Sequence, residues 1–343
     1  MSRAILVLNA GSSSLKFALF GVARLDPLLR GNLDGIGASP RLRLSGASAD
    51  LKMAMGSPPG GAIELAIHWL VERLGEVFPG LDLVSAGHRV VHGGRDFAEP
   101  VLVTPDVLAR LEAFIPLAPN HQPANLAAIR AVAAHWPEMP QIACFDTEFH
   151  RSQPRLAQLF GLPRELAEEG ILRYGFHGLS YEYIASALPE IAADKARARV
   201  IVAHLGHGAS MCAMKDLQSV ATTMGFTALD GLPMGERCGA LDPGVILHLI
   251  AEKGMSAAEV GALLNKRSGL LGLSGFSADV RELEASAAPE AEEALAFFAY
   301  RAAREIGSLA AALGGLDLLV FTAGIGENSA AMRGRICAAS SWL

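Results

Sequence analysis

Two short turns of glycine and serine in the sequence could bind an anion through the backbone. The first, Gly11-Ser12-Ser13-Ser14, lies between two apolar runs and is followed closely by Lys16. Small residues let a main chain approach an anion, and N–H groups and an ammonium group then solvate its charge. The second turn, Gly206-His207-Gly208-Ala209-Ser210, also lies between apolar runs. The two turns favour a phosphate site in each half of the chain, although an ordinary serine-rich surface turn would also explain the first.

Two arginines and two histidines lie in segments that glycine or proline constrains. Arg89 is embedded in the stretch His88 to Gly94, and His121 lies between two prolines. His177 follows Phe176 in a glycine-flanked turn. A guanidinium such as those of Arg89 and Arg237 can hold a carboxylate or phosphoryl group by two parallel hydrogen bonds, and imidazole can donate to a developing charge. These residues predict chemistry on anions, although a strand-end salt bridge would explain Arg89 equally well.

The hydrophobic pattern predicts the elements that position these residues. A hairpin is expected over 5–20, with further strands over 81–86, 140–145, 200–205, 211–214 and 318–322. Helices are expected over 62–77, 104–114, 124–134, 242–253 and 290–313, and one more helix is expected to end at residue 188. The segment Arg24 to Pro59 is expected to hold short strands and loops that cover the first sheet. After the last strand, Ala323-Gly324-Ile325-Gly326-Glu327-Asn328 reads as a glycine-rich turn that opens a helix, which is typical of a nucleotide site.

Composition excludes several classes of protein. The chain has 343 residues, of which 51% are hydrophobic and 19% charged, so it can bury two sizeable cores. The net charge of −6 argues against nucleic acid as a partner. The sequence has no apolar span of about 18 residues, so a membrane is not expected either. Four scattered cysteines form no CxxC pair, which fits a reducing cytoplasm.

Eight segments together resemble the acetate kinase family, in the family's order and spacing. They are residues 5–17, 87–94, 117–123, 145–150, 174–180, 204–210, 224–243 and 321–329. The resemblance implies an α/β protein with the two-domain, actin-like ATPase (ribonuclease H-like) fold and duplicated βββαβα-type domains. The expected domains are an acid and phosphate domain over 1–148 and a nucleotide-binding domain over 149–343. It also implies a homodimer that transfers the γ-phosphoryl group of ATP to acetate with Mg2+, for which Mn2+ can substitute, and that works reversibly with ADP.

The resemblance assigns roles to particular residues. The implied catalytic residues are Asp146, Arg237, His177 and His121, and the implied acid-binding residues are Arg89, Val91, Phe176, Asn120 and Ala228. Asp146 is expected to organise Arg237 or the metal, which Asn9 would help to bind. Nucleotide contacts are expected from Ser12, Ser14, Lys16, His204, Leu205, Gly206, His207, Gly208, Asp279, Val280, Arg281, Gly324, Ile325, Gly326 and Asn328. An acid acceptor is already ionised at pH 7 and needs no base, so the site must instead overcome repulsion between anions.

Several positions depart from the family pattern. His207 stands where the family has Asn, and Glu236 stands where a Thr is usual, so Glu236 could pair with Arg237 and compete with substrate. Asn120 and Ala228 replace apolar Leu and Pro, which puts a strict preference for acetate in doubt and makes propionate a second candidate. The family also continues beyond the last helix through a segment with a metal-binding Glu, so low activity is expected if the chain ends at Leu343.

Two other functions are compatible with the sequence. A sugar or other hydroxyl kinase on the same fold would use Asp146 as a base, but it would need fewer cations. A non-catalytic nucleotide-binding relative is favoured by His207, by Glu236 and by the absent final segment.

Overall fold

The structure, a computed structural model, describes residues 2–11, 14–45, 55–78 and 80–343. The chain divides into two compact units, Met1–Glu148 and Phe149–Leu343. No helix within the described ranges is long and apolar enough to span a membrane.

The first unit contains one mixed sheet with helices packed against it. Its strands are β1 (Ser2–Ala10), β2 (Ser14–Gly21), β3 (Pro27–Asp34), β4 (Arg41–Ser45), β5 (Leu81–Val90), β6 (Val101–Leu102) and β7 (Gln141–Phe145). Its helices are α1 (Ile63–Val77), α2 (Pro105–Glu112) and α3 (Gln122–His135), with a short 3-10 turn at Ile115–Leu117.

The strand order of this sheet is β4-β3-β2-β1-β5-β7-β6. The β1–β2 hairpin is antiparallel, whereas β5 runs parallel to both β1 and β7. The prediction that Arg24 to Pro59 covers the sheet is wrong for the described part of that segment, because β3 and β4 extend the sheet by edge pairing. The alternating apolar residues of these strands, Leu29, Leu33 and Leu44, are buried in the main core of the unit.

Local sequence signals explain the helices of the first unit. Thr104 caps α2, and its hydroxyl accepts a hydrogen bond from the Val107 N–H at 3.2 Å. The apolar stripe of α1 buries Ile67, Leu70 and Leu74 in the main core of the unit, together with the small residues of α3. This core lies under one face of β1 and β5, and side chains at alternate positions point to the opposite face.

The second unit contains a smaller sheet and most of the helices. Its strands are β8 (Val200–Leu205), β9 (Ala209–Lys215), β10 (Gln218–Thr222) and β11 (Leu318–Thr322). Its helices are α4 (Arg155–Gln158), α5 (Arg164–Glu168), α6 (Gly178–Ile191), α7 (Pro243–Ala251), α8 (Ala257–Lys266), α9 (Gly269–Ser274), α10 (Val280–Glu284), α11 (Pro289–Leu313), α12 (Ala323–Asn328) and α13 (Ala330–Ala339), with 3-10 turns at Glu148–Ser152 and Ala193–Lys195.

The order of the second sheet is β10-β9-β8-β11, with an antiparallel β8–β9 hairpin and β11 parallel to β8. The long helix α11 buries one side along its whole length, as predicted. Ser256 and Glu259 form a capping box at the start of α8. The segment after β11 differs from its prediction: α12 begins at Ala323, so the glycine-rich segment is itself helical and does not form a separate turn.

Candidate functional sites

In the first unit, Arg89 forms an ion pair with Asp146. The Nε atom of Arg89 donates to both carboxylate oxygens at 2.9 and 3.1 Å, and Nη2 donates to Oδ2 at 2.5 Å. A third contact runs from Nη1 to Oδ1 of Asn9 at 3.0 Å. Burial alone would lower the pKa of Arg89, but the charge and hydrogen bonds of Asp146 outweigh burial and raise it. The Arg89 side chain stays 29% exposed while that of Asp146 is 2% exposed, so the cation faces outward on a buried anion.

Strand pairing explains why these three residues meet. Asn9 is near the end of β1, Arg89 is near the end of β5, and Asp146 directly follows β7. The three strands are parallel neighbours, so their carboxyl ends lie at one edge of the sheet. Arg89 lies on β5 itself, because the strand extends to Val90 instead of ending at Ala86 as predicted.

Buried amide side chains hold the loop that follows β5. Asn125 of α3 accepts a hydrogen bond from the Val91 N–H at 3.0 Å and donates to the Ala10 carbonyl at 2.6 Å. Gln122 accepts from the His92 N–H and donates to the His92 carbonyl. These contacts fix the backbone beside Arg89, because each buried amide group has its partner there. The sequence analysis missed Asn125 and Gln122, although polar residues three apart in an apolar helix are a usable signal.

The other sites predicted in the first unit have varied surroundings. Val91 is buried, Lys16 and Asn120 are exposed, and Ser14 and His121 are half-buried. Ser12 lies outside the described residues.

In the second unit, His177 occupies an uncommon backbone conformation. It precedes α6 with φ of +59°, in the left-handed region that few residues other than glycine adopt. The preceding Gly175 must also be glycine, because a Cβ there would lie 2.5 Å from the His150 ring. His150 holds the same turn, since its Nε2 donates to the Phe176 carbonyl at 3.0 Å. Such strain at a rigid turn is typical of functional residues.

The turn between β8 and β9 brings Arg237 and His177 to one place. A Cβ on Gly208 would lie 3.1 Å from Nη2 of Arg237 and 3.3 Å from Nε2 of His177. Nη1 of Arg237 donates to the Ala228 carbonyl at 2.7 Å. The His177 ring stacks on His204 with centroids 4.2 Å apart, and Nδ1 of His204 is 2.9 Å from Oγ of Ser180. Two nitrogen groups that can donate to an anion therefore lie beside Gly208, which has no side chain.

A cavity of about 710 Å³ opens beside the same turn. Its lining includes eight of the predicted nucleotide contacts: Gly206, His207, Asp279, Val280, Arg281, Gly324, Ile325 and Asn328. The cavity is large enough for a small ligand of nucleotide size. The predicted contacts of the second unit that do not line it are His204, Leu205, Gly208 and Gly326.

Polar contacts shape the wall of this cavity. Asp279 caps α10 and forms an ion pair with Arg281, whose hydrogen bonds are the main reason that the pKa of Asp279 is lowered. Oγ of Ser329 donates to Oε1 of Glu284 at 2.5 Å and so links α13 to α10. Ser329 and Glu284 line the cavity, and the sequence analysis did not identify either residue.

The two departures from the family pattern in this region contact each other. Nε2 of His207 lies 3.5 Å from Oε2 of Glu236, with side chains that are 64% and 42% exposed. The structure therefore gives Glu236 a partner, His207, that the sequence analysis did not predict.

Known proteins share both the sequence and the fold of this chain. The acetokinase family model matches residues 4–343. An acetate kinase of Rhodopseudomonas palustris is 54% identical, covering 100% of this chain and 87% of that protein. One of Nitrobacter hamburgensis is 51% identical, covering 99% and 85%.

Among solved structures, a propionate kinase of Francisella tularensis aligns with a TM-score of 0.90 at 37% identity, covering 99% of this chain and 88% of that one. An acetate kinase of Porphyromonas gingivalis aligns with a TM-score of 0.86 at 35% identity, covering 99% and 88%. These similarities confirm the predicted actin-like fold class. The chain belongs to the acetokinase family.

Proposed function

We propose that this protein is an acetate kinase that converts acetate and ATP to acetyl phosphate and ADP, reversibly. A carboxylate oxygen of acetate forms a bond to the γ-phosphorus as the bond from that phosphorus to the β-phosphate oxygen breaks, and no proton is transferred. The observation that carries the proposal is the turn Gly206-His207-Gly208, which borders both the cavity and the Arg237–His177 pair. Membership of the acetokinase family supports the same reaction.

In the second unit, the cavity would hold ATP, which supplies the phosphoryl group. Asp279, Arg281 and Asn328 offer polar groups to a nucleoside, while Gly206 and Gly324 let phosphates approach the backbone. Arg237 and His177 would then stabilise the charge of the phosphoryl group during transfer. The Ala228 carbonyl orients the guanidinium of Arg237.

In the first unit, Arg89 would hold the carboxylate of the acid. Within the described residues, its contacts with Asp146 and Asn9 use three of the five guanidinium N–H groups. The other two N–H groups can donate to the acid. Oδ1 of Asp146 accepts from Nε of Arg89, Oδ2 accepts from Nε and Nη2, and the Asp146 side chain is almost fully buried. This arrangement speaks against Asp146 as a base, and so against a hydroxyl kinase.

Propionate is the alternative substrate. The Francisella tularensis neighbour is a propionate kinase, and Ala228 is a small residue beside Arg237. One methylene changes binding by only about 1–3 kcal/mol in such a pocket, so both acids can be substrates.

Mg2+ is expected to arrive with ATP, with Mn2+ as a substitute. Asn9 does not fit a direct metal ligand, because its Oδ1 already faces the Arg89 cation at 3.0 Å. The described ranges also contain no cluster of three His, Cys, Asp or Glu side chains that could hold a metal ion. We therefore assign no step of the reaction to a protein-bound metal.

We also propose a homodimer in the cytoplasm. The apolar helix α7 buries none of its residues, and Leu247 is among the most exposed. An exposed apolar surface of this kind is typical of an interface, and a second copy of the chain is the partner that we propose. The cytoplasmic location rests on the scattered cysteines of the sequence.

A hydroxamate assay for acetyl phosphate tests the reaction, with acetate or propionate as acceptor. Arg237→Lys keeps the charge but loses the planar guanidinium, and we expect kcat to fall about 100-fold. The matched control is Arg304→Lys, at an exposed position of α11 that does not line the cavity, which should keep wild-type activity.

ATP binding without product in the wild-type protein would instead support the non-catalytic alternative. Phosphorylation of a sugar in place of a carboxylic acid would support the hydroxyl kinase.

A further inference from the structure

Behind His177 lies a short chain of buried hydroxyl groups. Oγ of Ser210 is 2.8 Å from Nδ1 of His177, and the Tyr181 hydroxyl is 2.5 Å from the same Oγ. Tyr181 lies on α6 and Ser210 on β9, and both side chains are fully buried. Neither hydroxyl has another hydrogen-bond partner among the described residues. The hydrogens of these two hydroxyl groups can therefore be counted.

Only one direction of donation satisfies both hydroxyl groups. If Tyr181 donates to Ser210 and Ser210 donates to Nδ1 of His177, both hydroxyl hydrogens have an acceptor. If Nδ1 carries the hydrogen and donates to Ser210, the hydroxyl hydrogen of either Ser210 or Tyr181 is left without an acceptor. A buried donor without an acceptor is unfavourable. Burial also raises the pKa of Tyr181 well above its ordinary value, so the phenol stays protonated and remains a donor.

The opposite ring nitrogen then carries the hydrogen. Nε2 of His177 lies 3.3 Å from the position of a Cβ on Gly208, close to Nη2 of Arg237. The stacked His204 ring and the left-handed backbone restrict rotation of the His177 ring. An N–H group at Nε2 thus donates toward the same space as the Arg237 guanidinium.

We propose that Ser210 and Tyr181 are positioning residues that keep His177 in the neutral tautomer with its hydrogen on Nε2. In this form His177 donates a hydrogen bond to the phosphoryl group and does not accept one. Ser210 donates a hydrogen bond to Nδ1 of His177. Tyr181 orients the Ser210 hydroxyl by donating a hydrogen bond to its oxygen. The tautomer follows from the hydrogen count alone, whereas its role in phosphoryl transfer rests on the proposed function.

Long-range 1H–15N NMR of protein labelled at histidine nitrogen tests the tautomer directly. The His177 signals are assigned by their loss in His177→Asn. We expect wild-type His177 to show a hydrogen on Nε2 and an unprotonated Nδ1 at neutral pH. A hydrogen on Nδ1 in the wild-type protein would overturn the proposal.

Variants test the positioning roles, with spectra and kinetics measured on the same samples. Ser210→Ala removes the donor to Nδ1, so the Nδ1–H tautomer should become populated and kcat should fall about 10-fold, with KM for ATP unchanged. Tyr181→Phe keeps that donor but frees its rotation, so we expect a smaller loss of about threefold. The control Tyr183→Phe, at an exposed position two residues along α6, should match the wild type.

The two hypotheses fail in different ways. A protein that makes no acetyl phosphate but shows the Nε2–H tautomer would refute the proposed function and support the assignment of the tautomer. An active protein whose Ser210→Ala variant keeps both tautomer and kcat would refute the positioning role.

Discussion

In each unit an antiparallel hairpin lies beside a third strand that runs parallel to its first strand. In the first unit these are β1, β2 and β5, and in the second they are β8, β9 and β11. Three residues of the sequence separate the two strands of each hairpin, 11–13 in one and 206–208 in the other. The arrangement of these three strands is therefore the same in both units. The units differ in what the third strand presents at its carboxyl end.

In the first unit the third strand presents a side chain. Arg89 projects from β5 and is held by Asp146, so the site is a cation on a buried carboxylate. In the second unit β11 passes directly into α12, whose Gly324, Ile325 and Asn328 line a cavity. The comparison shows that the same arrangement of three strands can present either a fixed charge suited to a small anion or a cavity suited to a larger ligand.

The hairpins also differ in how they are buried. Buried and exposed residues alternate along β1 and β2, as on a sheet with one covered face. Almost every residue of β8 and β9 is buried, because helices such as α6 and α11 pack against this sheet. Asn9 and Arg89 can therefore share the less buried face of the first sheet.

The largest expected effect comes from breaking the ion pair of the first unit. Asp146→Asn leaves Arg89 without its charged partner, so the free energy of unfolding should fall by about 3 kcal/mol. The guanidinium would also lose its fixed position, and kcat/KM for acetate should fall about 100-fold. KM for ATP should not change, since the cavity lies in the other unit. Urea unfolding and steady-state kinetics measure both effects.

The matched control is Asp96→Asn, which removes the partner of Arg110 in a half-exposed ion pair of the same unit. It should cost less than about 1 kcal/mol. A large rise in KM for ATP in Asp146→Asn would contradict the division of roles between the units.

The pH dependence of stability should also separate the units. Burial lowers the pKa of both His88 and His92 from 6.5 to about 4. As pH falls below 6.5, the unfolded chain binds protons that the folded first unit cannot bind until pH about 4. The first unit should thus be most stable above pH 6.5 and lose up to about 3 kcal/mol for each histidine as pH falls to 4.

In the second unit, the carboxylate of Asp317 also loses its stabilising contribution as pH falls, but in a more acidic range. Hydrogen bonds from Arg199 lower the pKa of Asp317 below its ordinary value of 3.8, so its contribution is lost only in more acidic solution. Hydrogen exchange measured by mass spectrometry at pH 7.5, 6 and 5 should show the first unit opening first. His88→Gln should flatten this slope, whereas Asp317→Asn should leave it unchanged above pH 5. Equal opening of both units would contradict the prediction.

The smallest expected effect concerns the exposed pair in the second unit. A double-mutant cycle with His207→Asn and Glu236→Thr, the residues usual in the family, should give a coupling energy of about 0.2–1 kcal/mol. His207 lines the cavity, so KM for ATP should change a few-fold in His207→Asn while KM for acetate stays constant. An effect on acetate equal to that on ATP would show that this pair does not act through the nucleotide.

Local patterns were sufficient to predict most of the fold. Both hairpins, the long helix α11, the Thr104 cap and the capping box of Ser256 depend on residues within a few positions of one another. Periodicity and capping act over that distance, so they can be seen in a sequence. The family and its fold class were predicted correctly because eight such patterns occur in the right order, and the comparisons confirm both. The roles of the individual site residues stay predictions.

Contacts between distant residues could not be predicted in this way. Arg89 and Asp146 are 57 positions apart, and Asn125 bonds a carbonyl 115 positions away. Sequence spacing carries no information on such pairs, because parallel strands and packed helices bring them together only in the folded chain. The partners of His177 and Glu236 belong to the same class. The sequence by itself thus determined which groups can bind anions and nucleotides, while the tertiary structure decided which buried residue orients each group, because that depends on long-range packing.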